Sequence, residues 1–174
     1  MMKPTISIIS AMTPQRVIGL NNKMPWYLPA DLQHFKALTL NKPIIMGRLT
    51  WESLPGLLPQ RPHIVISRNS QYQCEGAMLA HSILDAIEKA GAVEEIMIVG
   101  GANIYQQALE LADKIYLTII NTGIKGDAFF PEIDLKIWQQ TALIHHKADA
   151  KNQWDYDFLT YQKIIPHEDD ALIY

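Results

Sequence analysis

The sequence holds a single cysteine, Cys74, among 174 residues. An internal disulfide is therefore excluded, a cysteine-based metal cluster is not expected, and a reducing, cytoplasmic home follows. Positive charge is not in excess either. Lysine and arginine total 15 against 18 aspartates and glutamates, a net charge of -3. That balance lacks the basic footprint by which proteins bind nucleic acid or an anionic membrane surface. No apolar run approaches the ~18–20 residues that span a bilayer. The run from Thr5 to Met12 is short, contains Thr5, Ser7 and Ser10, and leads into Thr13-Pro14 without a cleavage pattern of small residues. It reads as a strand and not as a secretion signal. Internal repeats and low-complexity tracts are missing. Metal-ligand spacing is missing too: His145 and His146 adjoin, so on a strand they point to opposite faces. No GxSxG nucleophile motif occurs.

What is present is ordinary for a folded chain. Hydrophobic residues make up 48% and charged residues 19%, which argues against disorder. The length suits one domain. We assign residues 1–165 to it and treat 166–174, which contains His167-Glu168-Asp169-Asp170, as a tail.

Strand and helix patterns alternate along the chain. Thr5–Ala11, Lys42–Met46, His63–Ser67, Ala77–Ala80, Glu95–Val99 and Lys114–Ile120 read as strands. A loop punctuated by Pro14, Gly19, Asn21-Asn22 and Pro25 follows the first of them. Pro29 suits a first helical turn, and Ala30–Leu40 reads as its helix. A short helix is expected between Gly47 and Pro55. Ser82 through Asp85 has capping-box spacing and opens a helix that closes at Gly91, and Ala102–Ala112 forms another. Gln140–His146 and Trp154–Lys163 read as a late antiparallel pair, with Trp154, Tyr156 and Phe158 alternating with Asp155 and Asp157. The fold class is therefore α/β: a single domain with a mixed, mainly parallel sheet and flanking helices.

Three local patterns carry chemistry. On a helical wheel with Leu28 at zero, Leu32 falls at about +40°, Phe35 at about -20° and Leu38 at about -80°, while Asp31 falls at about -60°. The acid lies inside the apolar arc, with Gln33, His34 and Lys36 outside it. A carboxylate there costs free energy unless it is paired or neutralised. The pattern leaves two roles open, a charge stabilised in the first helical turn or a ligand-binding acid. In the second, Glu95–Tyr105, a strand runs into Gly100-Gly101 and a helix begins at once. Glycines let a backbone approach a ligand, and a helix start attracts phosphate. A plain strand–helix turn is the commoner meaning, and the spacing does not match the GxGxxG dinucleotide fingerprint. In the third, Ile45 to Thr50, another strand ends at Gly47 beside Arg48, and Arg68 follows the strand ending at Ser67. Arginines at carboxyl ends of strands form phosphate sites, or are simply solvated.

Together and in this order, these segments resemble dihydrofolate reductase of the bacterial type. The likeness is carried by VIGLNNKMPWYLPADLQHFKALTLNKPIIMGRLTWESLP (Val17 to Pro55), IVGGANIY (Ile98 to Tyr105), YLT (Tyr116 to Thr118) and GDAFFP (Gly126 to Pro131), and spans about Thr5 to Ile164. The resemblance implies an eight-stranded sheet. It also implies reduction of 7,8-dihydrofolate to 5,6,7,8-tetrahydrofolate with NADPH, hydride passing from nicotinamide C4 to pterin C6 with protonation at N5. It puts Asp31 on the pterin 2-amino group and N3, Thr118 in support, and Trp26 beside an ordered water. Ile9, Leu32, Phe35, Leu54 and Val99 become apolar walls, and Arg61 the partner of the glutamate tail's α-carboxylate. Ala11, Ile18, Gly19, Asn22 and Met24 line the nicotinamide side, Met24 in a closing loop. Gly47, Arg48, Leu49, Thr50, Ser67, Arg68, Gly100, Gly101, Ala102, Asn103, Ile104 and Tyr105 complete the implied cofactor set, with a cis peptide joining the glycine pair. No metal is implied. A monomer that binds antifolate inhibitors is expected.

The chain departs from that pattern in places. Ala102 stands where bacterial relatives often have a third glycine. Leu49 and Asn103 stand where some carry a histidine and an arginine near the cofactor phosphates, which shifts load onto Arg68. Pro55-Gly56 lacks a nearby basic residue, which leaves the substrate tail to Arg61. Two other readings compete: a sibling reductase acting on another heterocycle, such as the riboflavin-pathway pyrimidine reductase, and a non-catalytic pterin sensor. Asp31 with Trp26 and Arg61 argues against the first. The closing loop and cofactor elements argue against the second.

Overall fold

A computed structural model describes residues 3–165, so the expected tail, 166–174, lies outside the described residues. The elements are β1 (Thr5–Met12), β2 (Val17–Gly19), α1 (Pro29–Thr39), β3 (Ile44–Gly47), α2 (Arg48–Ser53), β4 (His63–Ile66), β5 (Met78–Ala80), α3 (Ile83–Ala90), β6 (Glu95–Gly100), α4 (Ala102–Ala108), β7 (Lys114–Ile120), β8 (Ala128–Phe129), β9 (Trp138–His146) and β10 (Tyr156–Lys163). Eight strands form one sheet in the order β5-β4-β3-β6-β1-β7-β10-β9. The neighbours from β5 through β7 run parallel, and β10 pairs antiparallel with both β7 and β9. This is the mixed, mainly parallel sheet that the alternating pattern predicts.

The central strands are apolar on both faces. Ile44, Ile45, Met46, Ile64, Val65, Ile96, Met97 and Ile98 are wholly buried, as a parallel sheet covered on two sides requires. One face packs Ile8, Ile45, Ile64, Ile96 and Ile98 against Ile83 and Ala86 of α3 and Ile104, Tyr105 and Ala108 of α4. The other packs Ile9, Ile44, Met46, Val65 and Met97 against Phe35 and Leu38 of α1 and Trp51 of α2. The Ser82 hydroxyl accepts from the Asp85 N–H at 3.0 Å, and Gly91 closes α3 with a positive φ of 80°, as the capping signal predicts.

Register opens the cleft. Strand β1 pairs with β6 only as far as Ile8 opposite Ile98, but follows β7 to Met12 opposite Ile119. The last residues of β1 thus part from β6 at the carboxyl edge of the sheet, where α/β proteins bind ligands. The Tyr105 hydroxyl bridges the parting strands, 2.7 Å from the Ile9 carbonyl and 2.8 Å from that of Val99. Burial raises its pKa far above the ordinary tyrosine value, so it remains a donor.

Several details differ from expectation. Val17–Gly19 and Ala128–Phe129, expected as loop, form a separate two-stranded sheet. Each is too short to show periodicity. Helix α4 stops at Ala108 and not at Ala112, because the chain tightens and the Leu111 N–H bonds the Ala108 carbonyl at 2.9 Å. Strand β9 starts two residues early, at buried Trp138. Trp154 lies outside β10, which begins at Tyr156.

Candidate active site

Helix α1 places the acid. Leu28, 2% exposed, anchors the helix start in a cluster with Val17, Trp26, Ile120 and Tyr156. Three residues later Asp31 faces the sheet. The Thr118 hydroxyl, on buried β7, donates to Asp31 Oδ1 at 2.7 Å. Burial pushes the Asp31 carboxyl above the ordinary aspartate value, and the Thr118 hydrogen bond opposes that rise. No cation pairs with Asp31 among the described residues. The acid opens into a cleft also lined by Met24, Trp26, Tyr27, Leu28 and Leu32. Leu32 is 44% exposed and Met24 55%. Part of the apolar arc of α1 therefore faces this cleft, and not the core.

Behind the acid, Ile9, Phe35, Leu54 and Val99 meet in one apolar cluster with Leu38, Trp51 and Tyr116. Ala11 packs against the cluster that holds Trp26, and Ile18 packs against another core cluster. Arg61, only 7% exposed, donates from Nη1 to Thr39 Oγ1 at 3.1 Å and from Nε to the Pro59 carbonyl at 3.0 Å. Thr39 in turn donates to the Phe35 carbonyl at 2.7 Å, which ties this arginine to the last turn of α1. Burial lowers the guanidinium pKa, and among the described residues no carboxylate pairs with it. A buried guanidinium held by neutral groups alone is suited to an incoming carboxylate.

The residues expected to hold the cofactor gather at strand ends. Gly47 ends β3 opposite Ile66 of β4, so Arg48 and Ser67 leave neighbouring strands at the same edge. Past a bulge, Met46 pairs with Gly100 of β6. The Gly100–Gly101 peptide is cis, and Gly100 has φ +128°. A Cβ at Gly100 would lie 3.2 Å from the Tyr105 hydroxyl, and one at Gly101 3.3 Å from Thr50 Oγ1. A Cβ at Gly47 would lie 3.1 Å from Ile104 Cγ1. These glycines let two strand ends and two helix starts approach closely. Ile104 and Tyr105 lie buried beneath them, while Ala102 is half-buried and Asn103 exposed. Leu49 is 50% exposed. Arg68 is exposed and has no acidic partner among the described residues. Gly19 packs on Ala128, and exposed Asn22 takes φ 64° in the turn that leads to Met24.

Some partners went unmarked in the sequence reading. Arg48 is engaged by Glu52, 2.9 and 3.1 Å from its two carboxylate oxygens, and the Tyr72 hydroxyl donates to the same Glu52 at 3.0 Å. The i,i+4 spacing of Arg48 and Glu52 could have shown this pair. His34, placed outside the apolar arc, stacks on Phe158 with ring centroids 3.8 Å apart. Burial and then the nearby His146 lower its pKa. No local pattern reveals that contact.

Comparison with known proteins gives a consistent result. The family model described as dihydrofolate reductase matches residues 5–163. The chain is 44% identical to dihydrofolate reductase type 3 of Salmonella typhimurium over 158 residues, which cover 91% of this chain and 98% of that protein. It is 50% identical to a dihydrofolate reductase of Buchnera aphidicola subsp. Acyrthosiphon pisum, over 88% of this chain and 96% of that one. Among solved structures, the Enterococcus faecalis dihydrofolate reductase complexed with NADP(H) and RAB-propyl superposes with a TM-score of 0.88 at 34% identity, covering 94% of this chain and 98% of that one.

Proposed function

The chain belongs to the dihydrofolate reductase family, and from that premise we propose how its own residues reduce 7,8-dihydrofolate to 5,6,7,8-tetrahydrofolate with NADPH. One observation carries the assignment of roles. Asp31 is a sheltered carboxyl with a raised pKa, held through one oxygen by Thr118 and without a cation. Such an acid is satisfied by a ligand that brings its own N–H donors. The pterin 2-amino group and N3 are such a pair.

The residues present fit NADPH. At the glycine-lined strand ends a Cβ would crowd Thr50, Ile104 and Tyr105, so strand ends and helix starts meet in a tight edge, and Arg48 and Arg68 supply positive charge there. When bound, the cofactor supplies the hydride that reaches pterin C6. Asp31 orients the ring and favours its protonated form, so that N5 gains the proton that balances the reaction. Trp26, 7% exposed beside the cleft, holds the water next to the acid. Ile9, Leu32, Phe35, Leu54 and Val99 enclose the ring and the segment that follows it. Arg61 receives the α-carboxylate of the glutamate tail. Met24 and its loop exclude water during transfer. Ala11, Ile18, Gly19 and Asn22 complete the nicotinamide side. The protein acts as a cytoplasmic monomer that serves one-carbon metabolism and is blocked by antifolates.

Turnover tests this reading. Absorbance at the NADPH band should fall only when dihydrofolate is present, and 2,4-diaminopyrimidines should stop it. Tight folate binding without any NADPH oxidation would instead mark the chain as a pterin sensor.

A further inference from the structure

Helix α1 begins without a cap of its own. Its N-cap is Leu28, which offers no side-chain acceptor, and Pro29 has no N–H. The Asp31 and Leu32 N–H groups both bond the Leu28 carbonyl, at 3.0 and 3.2 Å. That leaves the N–H of Ala30, the residue next to Asp31. Its partner comes from the turn between β9 and β10: Ala30 donates to Asn152 Oδ1 at 2.9 Å, across a separation of 122 residues. Asn152 is a polar residue only 6% exposed.

The orientation of that amide is fixed. Asp149 Oδ1 accepts from the Lys151 N–H at 2.9 Å, from the Asn152 N–H at 2.8 Å and from Asn152 Nδ2 at 3.0 Å. The carboxylate demands the amide's nitrogen and Ala30 demands its oxygen, so a flipped amide would lose both bonds. A second contact follows one turn along α1, where His34 stacks on Phe158 of β10. Phe158 is also the register partner of Thr118, the donor to Asp31. One hairpin therefore grips α1 on both sides of the acid and pairs with the strand that holds it.

We propose that Asn152 is a positioning residue for Asp31: by accepting the Ala30 N–H it fixes the start of α1, and with it the direction and shelter of the carboxylate. The proposal rests on the reading of Asp31 as the substrate-binding acid. Without the cap the first turn frays, water reaches Asp31, and its carboxyl moves back toward the ordinary aspartate value. Hydride transfer requires the proton shared by Asp31 and the pterin, so activity declines as pH rises through the apparent pKa of that pair. Loss of shelter moves this decline to lower pH.

The test compares two cap deletions. Asn152→Ala should raise the dihydrofolate KM about tenfold, the scale of a lost helix cap, and should shift the alkaline limb of the activity profile to lower pH. The NADPH dissociation constant should remain within about twofold, less than one neutral hydrogen bond. Ser82→Ala removes the cap of α3 on the other face of the sheet, and should lower the thermal midpoint without moving KM or profile. The exchange Asn152→Asp with Asp149→Asn retains an acceptor for Ala30 and the net charge, and should restore the wild-type KM and profile. If Asn152→Ala does not fold, the exchange variant decides: a wild-type thermal midpoint with a raised KM overturns the proposal. An Asn152→Ala profile that matches that of Ser82→Ala also overturns it, provided Asp31→Asn alters the profile. If Asp31→Asn itself leaves the profile unchanged, the reading of Asp31 is what fails.

Discussion

The two halves of the proposed site stand on opposite electrostatic terms. On the proposed substrate half, Asp31 and Arg61 are sheltered and lack an opposite charge among the described residues, each held by a threonine from a distant element. On the proposed cofactor half, Arg48 is half exposed and shares Glu52, and Arg68 is exposed. Interactions strengthen as water is excluded, and exposed charges are screened. In the proposed roles, Asp31 and Arg61 are preorganised for donor and charged groups, whereas Arg48 would have to release or share Glu52 before meeting a phosphate.

The largest effect should come from the acid. Asp31→Asn should lower activity at neutral pH by about 10²–10³-fold, within the range of a lost proton-handling group, and recover partly in acid, where solution protonates more substrate at N5. A uniform loss across a rate–pH series would mean that Asp31 only positions the ring. Next, Arg61→Ala should raise the dihydrofolate KM by roughly 10- to 150-fold, the equivalent of one charge-assisted hydrogen bond. A pterin lacking the glutamate tail should be reduced equally by both proteins, and an equal loss on that compound would show that Arg61 only supports the fold.

The cofactor half should respond less. Arg48→Ala should weaken NADPH by about tenfold and leave NADH nearly unchanged, with Arg68→Ala acting in the same direction. Because an exposed ion pair is worth roughly 0.2–1 kcal/mol, Glu52→Gln should tighten NADPH by about 1.5- to 5-fold. Dissociation constants for both cofactors at two salt concentrations check this. Equal weakening of NADPH and NADH by Arg48→Ala would move the phosphate assignment elsewhere.

The smallest effect is on stability, and its sign sharpens the contrast. Burial raises the folded-state pKa of Asp31, so this group favours folding below its unfolded pKa and loses that contribution as pH rises through the folded value. Wherever it is ionised, it costs stability. Asp31→Asn should therefore melt above wild type at pH 7, by about 2–4 °C for each kcal/mol removed. The gain should disappear on acidification toward the ordinary aspartate value of about 4. Calorimetry at the two pH values decides it.

The patterns that proved legible are local. Continuous apolar runs marked Ile44–Met46, Ile64-Val65 and Ile96–Ile98 as strands, and the structure buries all of them fully. Ser82, Asp85 and Gly91 marked both ends of α3, and Pro29 marked the start of α1. The wheel that set Asp31 among leucines found an acid facing inward, because side-chain direction on a helix repeats every few residues. The same wheel missed His34, since a residue at the margin of an apolar arc is buried or exposed according to what packs beside it, here Phe158.

What the sequence determined by itself is the order of strands and helices, the apolar faces and the motif residues at the strand ends, all of which depend on neighbours a few positions away. Only the tertiary structure decided which charges stand alone. Thr118 reaches Asp31 across 87 residues, and Asn152 caps the same helix across 122. Arg61 and Arg48 look alike as letters, yet one is buried among neutral oxygens and the other lies against Glu52. Burial and hydrogen-bond partners set a group's free energy, and both are properties of the packed chain.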